Sequence, residues 1–169
     1  MATMIGLSDL FRLPKNRTIY FDMDGTLADL YGVPARHFSG QSMNVFQRLD
    51  TNDARVYGEA KPIMSNINLL KNLKRAGYRI GIITAGSRFP PGTPPQIQAQ
   101  MNRSTLAEKQ NWLRRYGIWP DEFKFTPYGV PKINSAADKK GVLIDDEDKV
   151  LRAWPGMAIK ATPANKARF

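Results

Sequence analysis

"YFDMDGTLADLYG", residues 20–32, joins an apolar run to two carboxylates and a glycine, and the fold turns on how it is read. Tyr20 and Phe21 belong to "TIYFD" (18–22), a run of β-branched and aromatic residues of the kind that forms a short buried strand. Charge is costly there, so Asp22 and Asp24 need a reason to stand at its end. Further runs at "RIGIIT" (79–84), "FKFT" (123–126), "VLIDD" (142–146) and "MAIKA" (157–161) are bounded by turn residues and also read as strands. Between the first two, Ile63, Ile67, Leu70 and Leu73 or Lys74 fall at helical spacing; Pro62 suits a first helical turn and Gly77 the stop. "STLAEKQNWLRRYG" (104–117) repeats the pattern, with Thr105 and Glu108 as a capping box and Leu106, Leu113 and Tyr116 on one face. A short segment, "DKVLRAWPG" (148–156), completes the alternation. Strands alternating with helices predict an α/β fold, a Rossmann-like three-layer sandwich with a central parallel sheet.

Two stretches fall outside that scheme. Residues 32–60 scatter Phe38, Met43, Val45, Phe46, Leu49 and Tyr57 among polar residues and read as a small, partly helical insertion. Residues 86–103, "GSRFPPGTPPQIQAQMNR", hold four prolines and read as an irregular loop. A length of 169 residues fits one domain over 1–169, with a core of 17–31 and 61–161 and the insertion at about 32–60. No stretch reaches the length of a membrane span, and Ser8, Asp9 and Arg12 interrupt any signal-peptide core, so the expected location is cytoplasmic. The absence of cysteine excludes disulfides and thiolate metal sites. With 25 Lys and Arg against 15 Asp and Glu, the net charge is +10, which makes an anionic partner such as nucleic acid an open possibility. The charges lie in short clusters such as "KNLKR" (71–75) and form no basic tail.

In an open parallel sheet, ligands bind beyond the carboxyl ends of the strands. The residues collected there are Asp22, Thr84, Asp145 and Asp146. Converging carboxylates repel one another unless a cation sits among them, and hard oxygen ligands in this number suit Mg²⁺. Asp22 and Asp24 can then divide the work, one binding metal and attacking an electrophile, the other exchanging a proton with the leaving group. Gly25 permits a tight turn and offers its amide to an anion, while Thr84, with the amides near Ala85 and Gly86, offers a hydroxyl to a phosphate oxygen. A lysine is needed to balance charge in the transition state, and Lys132 and Lys124 are both candidates.

These motifs, "IYFDMDGTLADLYG", "IGIITAG", Lys132 and "VLIDDED" in this order, resemble the four motifs of the haloacid dehalogenase-like phosphatases. The opening "DMDGTLAD" followed by Tyr31 is similar to the 5′(3′)-deoxyribonucleotidase family. The resemblance implies a Mg²⁺-dependent phosphomonoesterase acting through an aspartyl-phosphate on a small nucleotide. It implies Asp22 as nucleophile and Asp24 as general acid/base that also lends the metal its backbone carbonyl. It further implies Thr84, Ala85, Gly25 and Lys132 as phosphate-binding residues, and Asp145 and Asp146 as the rest of the metal site. Residues 32–60 would be the cap, with Tyr31, Phe46 and Tyr57 near a base. Ala85 stands where those nucleotidases carry a hydroxyl residue, and their lysine lies nearer the acidic pair. Arg88 can reach a phosphate. Two other classes fit: a phosphatase of polynucleotide ends, suggested by the net charge, and a non-catalytic binding module of the same fold. A response-regulator receiver fits less well, because its paired acids come early in the chain.

Overall fold

The computed structural model describes residues 2–50, 53 and 55–162; parts of the single-domain and insertion readings therefore lie outside the described residues. In chain order the elements are β1 (Thr3–Met4), α1 (Leu7–Leu10), β2 (Thr18–Phe21), β3 (Ala28–Asp29), β4 (Arg36–Phe38), β5 (Gln41–Met43), α2 (Val45–Asp50) and α3 (Arg55–Glu59). There follow β6 (Lys61–Pro62), α4 (Met64–Arg75), β7 (Arg79–Ala85), α5 (Pro95–Arg115), β8 (Glu122–Thr126), β9 (Val142–Asp145), α6 (Asp148–Ala153) and β10 (Met157–Lys160).

Six strands form one parallel sheet in the order β1-β10-β9-β2-β7-β8. Its central strands are buried on both sides, so successive side chains enter two different cores. Ile19, Phe21, Ile80, Ile82, Val142 and Ile144 face Leu10 of α1, Ile67, Leu70 and Leu73 of α4, and Trp112 and Leu113 of α5. Tyr20, Ile83, Leu143 and Ala158 face Leu151 of α6 and Trp154. The result is the expected Rossmann-like three-layer α/β sandwich. Among the described residues, no helix is long and apolar enough to cross a membrane.

Three local readings are corrected. The stretch 86–103 is irregular only to Pro94: α5 begins at Pro95, with Pro94 as its N-cap, so the prolines mark a helix start and not a loop. Proline is tolerated there because the first helical amides have no partner to lose. Thr105 is consequently a buried mid-helix residue, not a cap. Pro62 belongs to β6, which pairs with β3, and α4 starts two residues later behind Ile63. The strand β1 is an addition that its two residues were too few to announce.

Between Gly32 and Lys61 lie the β4–β5 hairpin and the helices α2 and α3. This segment contains a fully buried cation, Arg48, whose guanidinium bonds both oxygens of Glu59 at 2.7 and 3.0 Å, Asp53 at 3.0 Å and the Pro34 carbonyl at 3.3 Å. A forked donor of this kind organises a piece of chain too small to build an apolar core of its own.

Candidate active site

The register of the sheet assembles the site. Phe21 pairs with Ile82 on one side and Ile144 on the other, so Asp22, Thr84 and Asp145 follow along a single edge of three adjacent strands. Asp22 continues the ladder by one bond, its amide donating to Ile144 at 2.9 Å. The chain then turns sharply: the amides of Thr26, Leu27 and Ala28 all donate to the Met23 carbonyl, at 3.2, 2.9 and 2.9 Å. Gly25 makes that turn with a φ of 85°. A Cβ on it would lie 2.6 Å from Asp146 Oδ2 and 2.8 Å from the Tyr31 ring. Its amide donates to Ala28 at 2.8 Å, so the expectation that it meets an anion is corrected: Gly25 supplies space for Asp146.

The turn sends the two acids of the opening motif to different lysines. Asp22 Oδ1 accepts from Lys132 at 2.5 Å, and the same ammonium donates to Asp145 Oδ2 at 2.7 Å. Lys132 lies in a short 3-10 turn, Lys132–Asn134, on the α6 side of the sheet. Lys124 stands exposed on β8, so of the two candidates it is Lys132 that reaches the carboxylates. Asp24 Oδ2 instead accepts from Lys109 at 2.9 Å. Lys109 comes from α5 on the opposite side, is fully buried, and also donates to Thr84 Oγ1 at 2.6 Å and the Ala85 carbonyl at 3.1 Å. Its Nζ lies 4.9 Å from the centre of the Tyr57 ring.

Lys109 is the site residue that the sequence reading missed. A lysine in a charged helix reads as solvated; the available signal was its spacing from Thr105, Trp112 and Leu113, which together form the buried face of α5. Tyr57, expected near a substrate base, is core, covered by α5. Tyr31 is half-buried against the exposed ring of Phe46, with 5.8 Å between ring centres, and Arg88 is exposed beyond β7.

Asp22, Asp145 and Asp146 are buried and offer ligand oxygens that all lie within 4.8 Å of one another. This triad can bind a metal ion. The Asp24 side chain is outside it, engaged by Lys109. The electrostatics carry the mark of concentrated negative charge. Burial, with Asp22 adding to it, pushes the Asp145 carboxyl up to about 7 against the pull of Lys132. Asp24 is likewise raised, by burial first and by Asp22, with Lys109 opposing. For Lys132, burial works against the ammonium, but Asp22 and Asp145 outweigh it and hold its pKa above the ordinary lysine range. Lys132 and Ala85 also line a cleft of about 310 Å³ whose other walls include Tyr128, Val130, Ile133, Lys149 and Trp154.

Fold and site together define an α/β protein with a buried acidic triad at the ends of adjacent parallel strands. Among solved structures the chain is similar to one in the Pnkp1/Rnl/Hen1 complex, with a TM-score of 0.57 and 15% identity. The match covers 86% of this chain and 46% of that one, so this chain spans less than half the neighbour's length. At that identity the likeness shows a shared fold. No protein-family model and no curated protein matches the chain.

Proposed function

We propose that the protein is a Mg²⁺-dependent phosphomonoesterase in which Asp22 is the nucleophile and Asp24 the general acid/base. The observation that carries this is the separation of the two acids: Asp22 shares Lys132 with Asp145, while Asp24 is held by a different buried lysine. Two carboxylates with unlike neighbours can take unlike parts in one reaction. Asp22 would attack phosphorus as Asp24 protonates the departing ester oxygen; Asp24 would then take a proton from the water that hydrolyses the aspartyl-phosphate. Lys132 and the Thr84 hydroxyl would hold phosphoryl oxygens, and Lys132 would balance their growing charge. Asp22, Asp145 and Asp146 fit a hard divalent cation through their number, burial and oxygen chemistry, with the Asp24 carbonyl as a further ligand implied by the family resemblance. Bound there, Mg²⁺ would supply positive charge to the phosphoryl group.

The substrate read from the opening motif is a small nucleotide. The cleft beside Lys132 has room and aromatic surface for the group attached to phosphate, and residues 32–60 would be the cap that the family resemblance implies. A second reading, a phosphatase of nucleic-acid ends, is supported by the net charge of +10 and by the shared fold with a chain of the Pnkp1/Rnl/Hen1 complex. The test of the chemistry is phosphate release with Mg²⁺ from nucleoside monophosphates, sugar phosphates and 3′-phosphorylated oligonucleotides, run beside Asp22→Asn. The variant is expected to fall to background on every substrate; equal release by both proteins would remove Asp22 from its role.

A further inference from the structure

The reaction just described gives Lys109 no task, although a fully buried ammonium is expensive to hold. Its desolvation, several kcal/mol for an ion of this kind, is offset because all three of its hydrogens find acceptors: Asp24 Oδ2, Thr84 Oγ1 and the Ala85 carbonyl. With that set complete and no exposed surface, Lys109 has no hydrogen left for a substrate oxygen.

What it does is assign lone pairs. An ammonium only donates, so Thr84 Oγ1 must accept, and the one hydrogen of that hydroxyl is directed to some other acceptor. Asp24 is divided in the same way. Its Oδ2 is occupied by Lys109, whereas Oδ1 is buried and has no hydrogen-bond partner among the described residues. A buried polar atom left over in this way points to a group that arrives later.

We propose that Lys109 is a positioning residue: it fixes Asp24 so that Oδ1 faces the reacting ester, and it makes the Thr84 hydroxyl a donor toward the phosphoryl group. The inference rests on the phosphomonoesterase reading for its chemistry. As the Asp22 oxygen bonds to phosphorus and the bond from phosphorus to the ester oxygen breaks, the proton on Asp24 Oδ1 moves to that departing oxygen. In the second half, Oδ1 takes a proton from the attacking water. Lys109 touches none of the reacting atoms.

A residue that serves proton delivery matters little to the first half-reaction when the leaving group needs no proton. Lys109→Met is therefore expected to lower kcat/KM, which reports formation of the aspartyl-phosphate and not its hydrolysis, about 100-fold on an alkyl phosphate such as a nucleoside monophosphate, and at most about fivefold on p-nitrophenyl phosphate. Lys109→Gln, neutral but still able to donate to Asp24, gives the same comparison if the methionine variant does not fold. Crystal structures of the wild type and the variant supply a readout independent of turnover: Asp24 is expected to turn away from its wild-type rotamer. Equal losses on both esters accompanied by a lower Tm mean a merely structural lysine and overturn the proposal. So does a variant structure with Asp24 and Thr84 unmoved. If the wild type hydrolyses neither ester, the phosphomonoesterase reading fails, and the two crystal structures still decide the positioning.

Discussion

At the scale of single residues, two positions make the site sensitive. Gly25 combines a left-handed φ with a close approach to Asp146 and Tyr31. Gly25→Ala is expected to destabilise the protein by roughly 1–3 kcal/mol through backbone strain and to push Asp146 out of the triad. Thermal melts with and without Mg²⁺ check this, since the rise in Tm that the metal gives the wild type should disappear. Asp145 sets a pH dependence. Its carboxyl is raised from 3.8 to about 7 by burial and by Asp22. A group with a higher pKa in the folded than in the unfolded state stabilises fully below the unfolded value and loses that contribution as pH rises through the folded one. Metal-free protein is therefore expected to lose stability between about pH 4 and about pH 7 in denaturant titrations. Added Mg²⁺ should recover it increasingly over the same range, because a metal ligand must be ionised. Asp145→Asn should flatten both trends; an unchanged profile in that variant would assign them to another group. Asp22, Asp24, Thr84, Asp145 and Asp146 were legible from their places after apolar runs. Lys109 was harder to see: its spacing from Thr105, Trp112 and Leu113 marks the buried face of α5, but nothing in one sequence says that this face meets Asp24 and Thr84 at the ends of the strands.

At the scale of elements, the five strands read from the sequence reappear within a residue or so of their expected ends; for the central β2, β7 and β9 the reason is that a strand buried on both sides must be apolar almost throughout. The stretch 86–103 shows the opposite case: prolines punctuate loops and helix starts alike, and here Pro94 and Pro95 cap and open a 21-residue helix. The segment between Gly32 and Lys61 depends on a charge that pattern reading does not find. Arg48 lowers the pKa of Glu59 by a direct hydrogen bond, and Asp53 is lowered by Arg55 and by Arg48. Removing a buried cation strands its carboxylates, at about 3 kcal/mol or more. Arg48→Met is thus expected to show its first proteolytic cuts within residues 33–60, ahead of any loss of the sheet's circular dichroism. Cleavage at the wild-type rate would show that the hairpin and helices hold without it.

At the scale of the whole molecule, the net charge of +10 separates the two substrate readings. A nucleic-acid end brings many phosphates to the basic surface, and each one contacted releases counterions. On that reading KM for a 3′-phosphorylated oligonucleotide should rise steeply between 50 and 200 mM salt, by about tenfold or more. A mononucleotide should show a shallow dependence, and equally shallow curves for both would leave the surface charge without a part in substrate binding.

The bridge that Lys132 makes between Asp22 and Asp145 also bears on the order of events in the protein's life. Three carboxylates brought together with nothing between them would resist closure of the sheet, and many small metal sites solve this by folding only once the ion arrives. Here the chain carries its own counter-ion, seated 2.5 and 2.7 Å from two of the acids, and a proton on Asp145 can stand in for further positive charge. The newly made chain can therefore complete its sheet before it meets a metal. A metal ion bound by the triad would then enter a finished pocket by displacing a proton, and on the proposed reading its supply would govern activity and not folding.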